Sequence, residues 1–148
     1  MALRPETSAG YMTNLAGRLF ARAIDRRLAP LGLNPAHMPI LLGLEAGPQP
    51  QKILAERARV RQPTMTATLN RMEKDGLVER LPNPEDGRSS LVALTPKARD
   101  KLGAVAKAGQ EVNVQALKSL SREERAQYFA LLREVIANLD KGDEPADP

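Results

Sequence analysis

The chain has 148 residues, enough for one domain with an ordinary core, and its 22 Lys and Arg against 18 Asp and Glu give a net charge of +4. With no Cys and a single His, disulfides, thiolate metal sites and thiol redox sensing are excluded, and no metal or cofactor is expected. No run approaches the roughly 20 apolar residues that span a bilayer, and the start MALRPETSAG has no signal-peptide core, so a cytoplasmic protein without a membrane partner is expected. The charge is uneven. Residues 1–30 hold five Arg against Glu6 and Asp25, residues 52–74 hold six basic against two acidic, and residues 91–148 balance nine against nine.

Residues 1–8 lack apolar periodicity and the end KGDEPADP mixes prolines with acids, which predicts flexible tails at 1–8 and 142–148. From Tyr11 to Leu31 the positions Leu15, Leu19 and Ala23, with Phe20, Ile24 and Leu28 beside them, recur at helical spacing and predict a long amphipathic helix. Gly32 and Pro35 break it. HMPILLGLEAG then reads as a shorter, more buried helix, which must start near Pro35 or Ala36 because Pro39 is tolerated only in a first turn. QPQKILAERARV predicts another short helix, and after a break near Val60 and Arg61 comes QPTMTATLNRMEKDG. There Met65, Leu69 and Met72 form one narrow apolar stripe and Gly76 supplies the stop, so the pair has the skeleton of a helix-turn-helix.

Opposite the stripe lie Pro63, Thr66, Ala67, Asn70, Arg71 and Lys74, with Thr64 on the edge. Arg and Asn pair bidentately with guanine and adenine edges, and Thr and Ala can touch a thymine methyl. A polar face is also the rule for any solvated helix, so this helix alone does not decide the matter. The next segments do more. LVERLP (77–82) and SSLVAL (89–94) are strand-like, with Asp86 and Gly87 as the turn between them. A helix-turn-helix followed by a hairpin is a winged helix, and Arg88 at the wing tip can reach phosphates or a narrow minor groove. The alternative is a surface pairing of Arg88 with Glu85 or Asp86, worth about 0–1 kcal/mol.

The succession QKILAERARV, QPTMTATLNRMEKDGLVER, PEDGRSSLVALT and PKARDKL resembles the MarR family (multiple antibiotic resistance regulators), most strongly from Pro50 to Lys101. The Asp-x-Arg of the wing, Asp86 and Arg88, followed by Leu94 and Thr95, is its most specific element. The resemblance implies a mainly α fold with a small β-hairpin wing: a winged helix-turn-helix over 35–95, with long N- and C-terminal dimerisation helices over 9–34 and 96–141. It implies a homodimer in which each subunit presents one recognition helix, Gln62 to Asp75, and one wing. Gln62, Pro63, Thr64, Thr66 and Arg88 fall where the family touches DNA; with Arg61, Ala67, Asn70, Arg71, Lys74 and Asp86 they make the expected DNA-binding set. The chain departs from the family in having Arg61 and Gln62 where Ser then Arg is common, which removes an N-cap hydroxyl. Ala67 stands where Arg is frequent, and Ala98 where glycine is frequent.

Further along, Leu102, Val105, Ala106, Val112, Ala116 and Leu120 predict one long helix from about Pro96, and Ser121 with Glu124 forms a capping box that starts another. Its stripe of Tyr128, Leu131, Leu132, Val135, Ile136 and Leu139 is wider than a domain of this size covers alone. With Leu15 it is the expected two-fold interface, the alternative being packing within the chain. Such a dimer would read half-sites about one helical turn apart.

The resemblance also implies a small aromatic or anionic effector. Arg18 and Arg22 on the first helix, and His37 and Met38 on the second, are its candidate ligands, although exposed Arg is usually solvated and a lone His is usually structural. An aromatic wall would have to draw on Tyr11, Phe20, Tyr128 or Phe129. No nucleophile signature, phosphate-binding glycine loop or supported carboxylate pair is present, so no enzyme is expected. The expected function is a sequence-specific double-stranded DNA-binding transcriptional regulator, a repressor released by a small ligand and acting as a homodimer on a pseudo-palindromic operator. The alternative is a winged-helix protein-interaction module or antagonist that does not bind DNA, which would need the exposed apolar anchors that the outward face of Gln62 to Asp75 lacks.

Overall fold

A computed structural model describes residues 4–141, so the expected tails fall largely outside the described residues. Residues 4–8 are the exception: Pro5–Thr7 is a 3-10 turn, and the Ser8 hydroxyl caps the next helix by accepting from Tyr11 N–H. Two compact units follow one another, the first ending at Val112 and the second beginning at Asn113.

In the first unit, α1 (Ala9–Leu28) ends in a 3-10 turn over Ala29–Leu31, where Pro30 and the left-handed Gly32 stop the helix. The expected second helix begins as a 3-10 turn over Pro35–His37 and continues as α2 (Met38–Leu44), so both of its prolines lie in first turns. A two-residue strand β1 (Gln49–Pro50) leads into α3 (Gln51–Ala58), and α4 (Gln62–Lys74) follows. β2 (Val78–Pro82) and β3 (Ser90–Leu94) form the hairpin, with β3 central in an antiparallel sheet of order β1-β3-β2. Arg80 pairs with Val92, and Val92 on its other side meets Gln49.

The helix expected to run unbroken from about Pro96 is in fact two, α5 (Pro96–Arg99) and α6 (Leu102–Ala116). The break lies where Lys101 N–H tightens to a bond with Ala98 O at 3.0 Å, while its ammonium donates to Leu31 O at 2.7 Å. The core is built from the apolar stripes of these elements: Leu28, Ile40, Leu41, Leu44, Leu54, Leu69, Met72, Val92 and Val105 are essentially fully buried. Burying each such side chain contributes about 1.5–3 kcal/mol.

The second unit contains α7 (Arg122–Asp140), begun by the predicted capping box: Glu124 N–H donates to Ser121 Oγ at 3.1 Å and Ser121 N–H to Glu124 Oε2 at 2.7 Å. No residue of α7 is buried, and Phe129, Leu131, Val135, Ile136 and Leu139 are all more than 40% exposed.

Candidate nucleic-acid interface

The orientation of α4 follows from its apolar stripe. Met65, Leu69 and Met72 are at most 2% exposed, which turns Gln62, Pro63, Thr64, Thr66, Ala67, Asn70, Arg71 and Lys74 to solvent. Arg61 occupies the N-cap in an extended conformation and makes no side-chain capping bond, as expected from the missing hydroxyl. The first amides of α4 are thereby left without a side-chain acceptor from the cap. The other end is closed tightly. Leu77 N–H bonds Met72 O at 2.8 Å and Gly76 N–H bonds Glu73 O at 3.0 Å, a Schellman motif around left-handed Gly76. Thr95 Oγ1 donates to Gly76 O and Lys97 Nζ to Asp75 O, so the helix end is tied to the segment after β3.

The wing tip is more elaborate than the expected Asp86-Gly87 turn. Asn83 Oδ1 accepts from Glu85 N–H, Asp86 Oδ1 accepts from Arg88 N–H, both at 3.0 Å, and Ser89 N–H reaches Asp86 O. Two successive side-chain-to-backbone turns thus replace a two-residue loop, because Pro82 and Pro84 cannot supply ladder donors. Asp86 shapes the tip through the backbone of Arg88, and the Arg88 side chain is exposed beyond the sheet.

Between wing and helix lies a polar network absent from the sequence-based expectation. Arg80 donates through NH2 to Asn70 Oδ1 at 3.2 Å and through NH1 to Gln51 Oε1 at 3.4 Å, while its Nε stands 3.5 Å from Glu73 Oε2. Gln51 Nε2 in turn donates to Thr66 Oγ1 and to Gln62 Oε1. One signal was available: Arg80 lies two residues after buried Val78 in β2, hence on the same face of the sheet.

A cavity of about 400 Å³ sits behind the same helix, with Asn34, Ala36 and His37 on one wall and Pro63, Thr64, Ala67, Thr68 and Arg71 on the other. His37 is 3% exposed and completes a second capping box: Asn34 N–H donates to its Nδ1 at 3.3 Å, and Asn34 Oδ1 accepts from Ala36 N–H. Burial holds the imidazole below its ordinary value of 6.5; Asp75 pulls it up and Arg71 pushes it down further. Of the four candidate ligand residues only His37 lines this cavity. Arg18 and Arg22 are exposed on α1, and Met38 packs against the core. Leu15 on α1 is half-buried, as are Tyr128 and Leu132 on α7, while the rest of the expected dimer stripe is exposed.

A MarR-family model matches residues 31–89. An uncharacterised HTH-type transcriptional regulator of Bacillus subtilis, YwoH, is 35% identical over 109 residues, covering 73% of this chain and 74% of that one. The chain belongs to the MarR family. Among solved structures, a probable transcriptional regulator from Pseudomonas aeruginosa superimposes with a TM-score of 0.80 at 32% identity, covering 89% of this chain and 99% of that one. The transcriptional repressor CouR, solved bound to a 23-mer DNA duplex, gives 0.81 at 26% identity over 92% and 99% of the two chains. This MarR-family chain is thus a transcriptional regulator with a winged-helix fold, and not an enzyme. Among the described residues no helix is long and apolar enough to cross a membrane.

Proposed function

We propose that the protein is a homodimeric repressor that binds a pseudo-palindromic duplex, placing α4 in the major groove and Arg88 against the backbone or minor groove beside it. The observation that carries this reading is the α4 face itself. Its outward side chains are amide, hydroxyl, proline, alanine or basic groups, with the exposed carboxylate of Glu73 at the flank held against Arg80 and an exposed wing arginine beside them, and it lacks the bulky apolar anchor that a protein partner would need. The likeness to CouR, a repressor with a duplex bound, supports the same use of the surface. The half-exposed apolar stripe of α7 supports assembly with a second copy, since an isolated helix face carrying Leu131, Val135, Ile136 and Leu139 leaves large apolar surface in water.

Effector release belongs to this reading through the cavity behind α4. Thr64, Ala67 and Arg71 belong both to its wall and to the proposed DNA face, so a small organic anion seated against Arg71 would compete with the duplex for the same guanidinium. The purified protein, incubated with random duplex DNA and sequenced after selection, should enrich an inverted repeat with half-sites about one helical turn apart. Sedimentation should give twice the chain mass. Enrichment of no sequence, together with retention of a protein partner that α4 substitutions abolish, would favour the interaction-module alternative.

A further inference from the structure

We propose that Arg80, which lies off the proposed DNA face, is a positioning residue that fixes which way the hydrogen-bonding groups of α4 point. The inference rests on the DNA-binding reading above and concerns how that surface discriminates among base pairs.

The argument turns on donor and acceptor polarity. A guanidinium can only donate. Arg80 therefore requires an oxygen from each partner it meets, which sets the amide of Gln51 with Oε1 toward Arg80 and the amide of Asn70 with Oδ1 toward it. Once Gln51 Oε1 is so committed, its Nε2 must face the other way, where it donates to Thr66 Oγ1 and Gln62 Oε1. The order propagates outward. With Gln62 Oε1 and Asn70 Oδ1 accepting from within, both residues keep their NH2 groups for solvent, and Thr66, whose oxygen already accepts, keeps its hydroxyl hydrogen. Gln62, Thr66 and Asn70 are all exposed, so the outer face of α4 is biased toward donors.

Donors suit acceptors on DNA: guanine O6 and N7, thymine O4, adenine N7 or a phosphate oxygen. The bias also alters one expectation. Asn70, expected to read adenine bidentately, has its carbonyl oxygen engaged by Arg80 and offers its NH2 group instead. Glu73 completes the arrangement by holding Arg80 Nε, which keeps the other two guanidinium nitrogens aimed at Gln51 and Asn70. Because the Arg80 side chain is only 30% exposed and spans β2, α3 and α4, it also couples the wing strand to the reading helix.

The test uses the full chain and a duplex selected with the wild type. Arg80→Met removes the donors while keeping most of the stem. The ratio of affinities for the selected duplex and single-base variants at the positions facing α4 should fall about tenfold, within the range of one bidentate contact. The salt dependence of binding should stay at the wild-type slope, because Arg80 itself touches no phosphate. Gln51→Glu leaves the acceptor for Arg80 in place but removes the donors to Thr66 and Gln62, and it should reproduce the loss at the base pairs those residues face. Arg80→Lys, with one compact ammonium in place of a fork, should recover only part of the discrimination. Wild-type discrimination in both Arg80→Met and Gln51→Glu would overturn the proposal while leaving DNA binding intact, and so would a flattened salt slope in Arg80→Met, which would place Arg80 on a phosphate. A wild type that enriches no duplex would instead overturn the DNA-binding reading and this inference with it.

Discussion

Arg59→Gly should make the protein more stable. The turn of the helix-turn-helix is closed by a Schellman motif: Val60 N–H bonds Ala55 O at 3.1 Å and Arg59 N–H bonds Glu56 O at 3.2 Å. The motif needs a left-handed residue, and here that residue is Arg59, at φ 50 and ψ 44, the one non-glycine with positive φ among the described residues. About 20 Å of helix later, by the usual rise per residue over α4, the same motif recurs with glycine at position 76. A left-handed conformation costs a residue bearing Cβ about 1–2 kcal/mol, and glycine returns about 0.5–1 kcal/mol of that through the greater freedom of its unfolded chain. The exposed Arg59 side chain makes surface contacts worth a few tenths more, by the usual scale of about 0–1 kcal/mol. A net gain of about 0.5 kcal/mol follows, raising Tm by about 1–2 °C for a chain of this length. Gly76→Ala is the mirror experiment. Its Cβ would meet nothing nearer than Lys97 Cδ at 3.9 Å, so the penalty is purely conformational and should lower stability by about 0.5–1 kcal/mol. Urea titration at one fixed protomer concentration measures both, since assembly would otherwise shift the midpoints. A lower midpoint for Arg59→Gly, or an unchanged one for Gly76→Ala, would refute the assignment of strain to Arg59.

Three further predictions concern the wing, the buried histidine and α7. Arg88→Ala should remove one phosphate contact per wing, two per dimer, and flatten the slope of log affinity against log salt by about 1.8, so that the mutational loss changes roughly 12-fold between 50 and 200 mM salt; anisotropy titrations across that range would show an unchanged slope if Arg88 stays in solvent. Because burial depresses His37 in the folded chain, the unfolded chain binds the proton first, so stability is fully present above pH 6.5 and falls as pH drops below it. Protonation would also place a hydrogen on Nδ1 where Asn34 N–H now donates, and His37→Gln should abolish this pH dependence between 6.5 and 5 in denaturant titrations. Ile136→Glu changes a residue 46% exposed in the single chain, so it should leave each protomer folded by circular dichroism yet sediment as a monomer; an intact dimer would place the interface elsewhere.

The helix α4 was legible in the sequence because its evidence is local. The stripe of Met65, Leu69 and Met72 repeats within one helix, and Gly76 marks its end. The Ser121–Glu124 box was equally local, and both of its bonds are present. What escaped was set by distant partners. β1 is two residues long, too short for any periodicity, and exists only because Gln49 and Pro50 pair with Val92 and Leu91. The network of Arg80 joins Gln51 and Asn70 across separations of 29 and 10 residues, with no spacing rule to reveal it. The break at Asp100 and Lys101 escaped for a similar reason, since it coincides with a lysine that reaches back 70 residues to Leu31 O.

These distant ties also explain how a helix exposed along much of its length can serve as a precise surface. Its inner face is fixed by packing, and burying Met65, Leu69 and Met72 forbids rotation about the axis without loss of about 1.5–3 kcal/mol for each. Its C-terminal end is fixed by Thr95 and Lys97, which hold the carbonyls of Gly76 and Asp75. Its flank is fixed by Arg80 and Gln51. The N-terminal turn alone lacks a side-chain cap. That is the end with unpaired amide donors and the positive pole of the helix dipole, so a cap there would satisfy the groups best suited to an anionic backbone. Arg61→Ser should therefore be about 0.5–2 kcal/mol more stable in urea titration than Arg61→Ala, which loses the same charge without gaining a cap, and equal midpoints for the two would show that the first amides of α4 gain nothing from a hydroxyl.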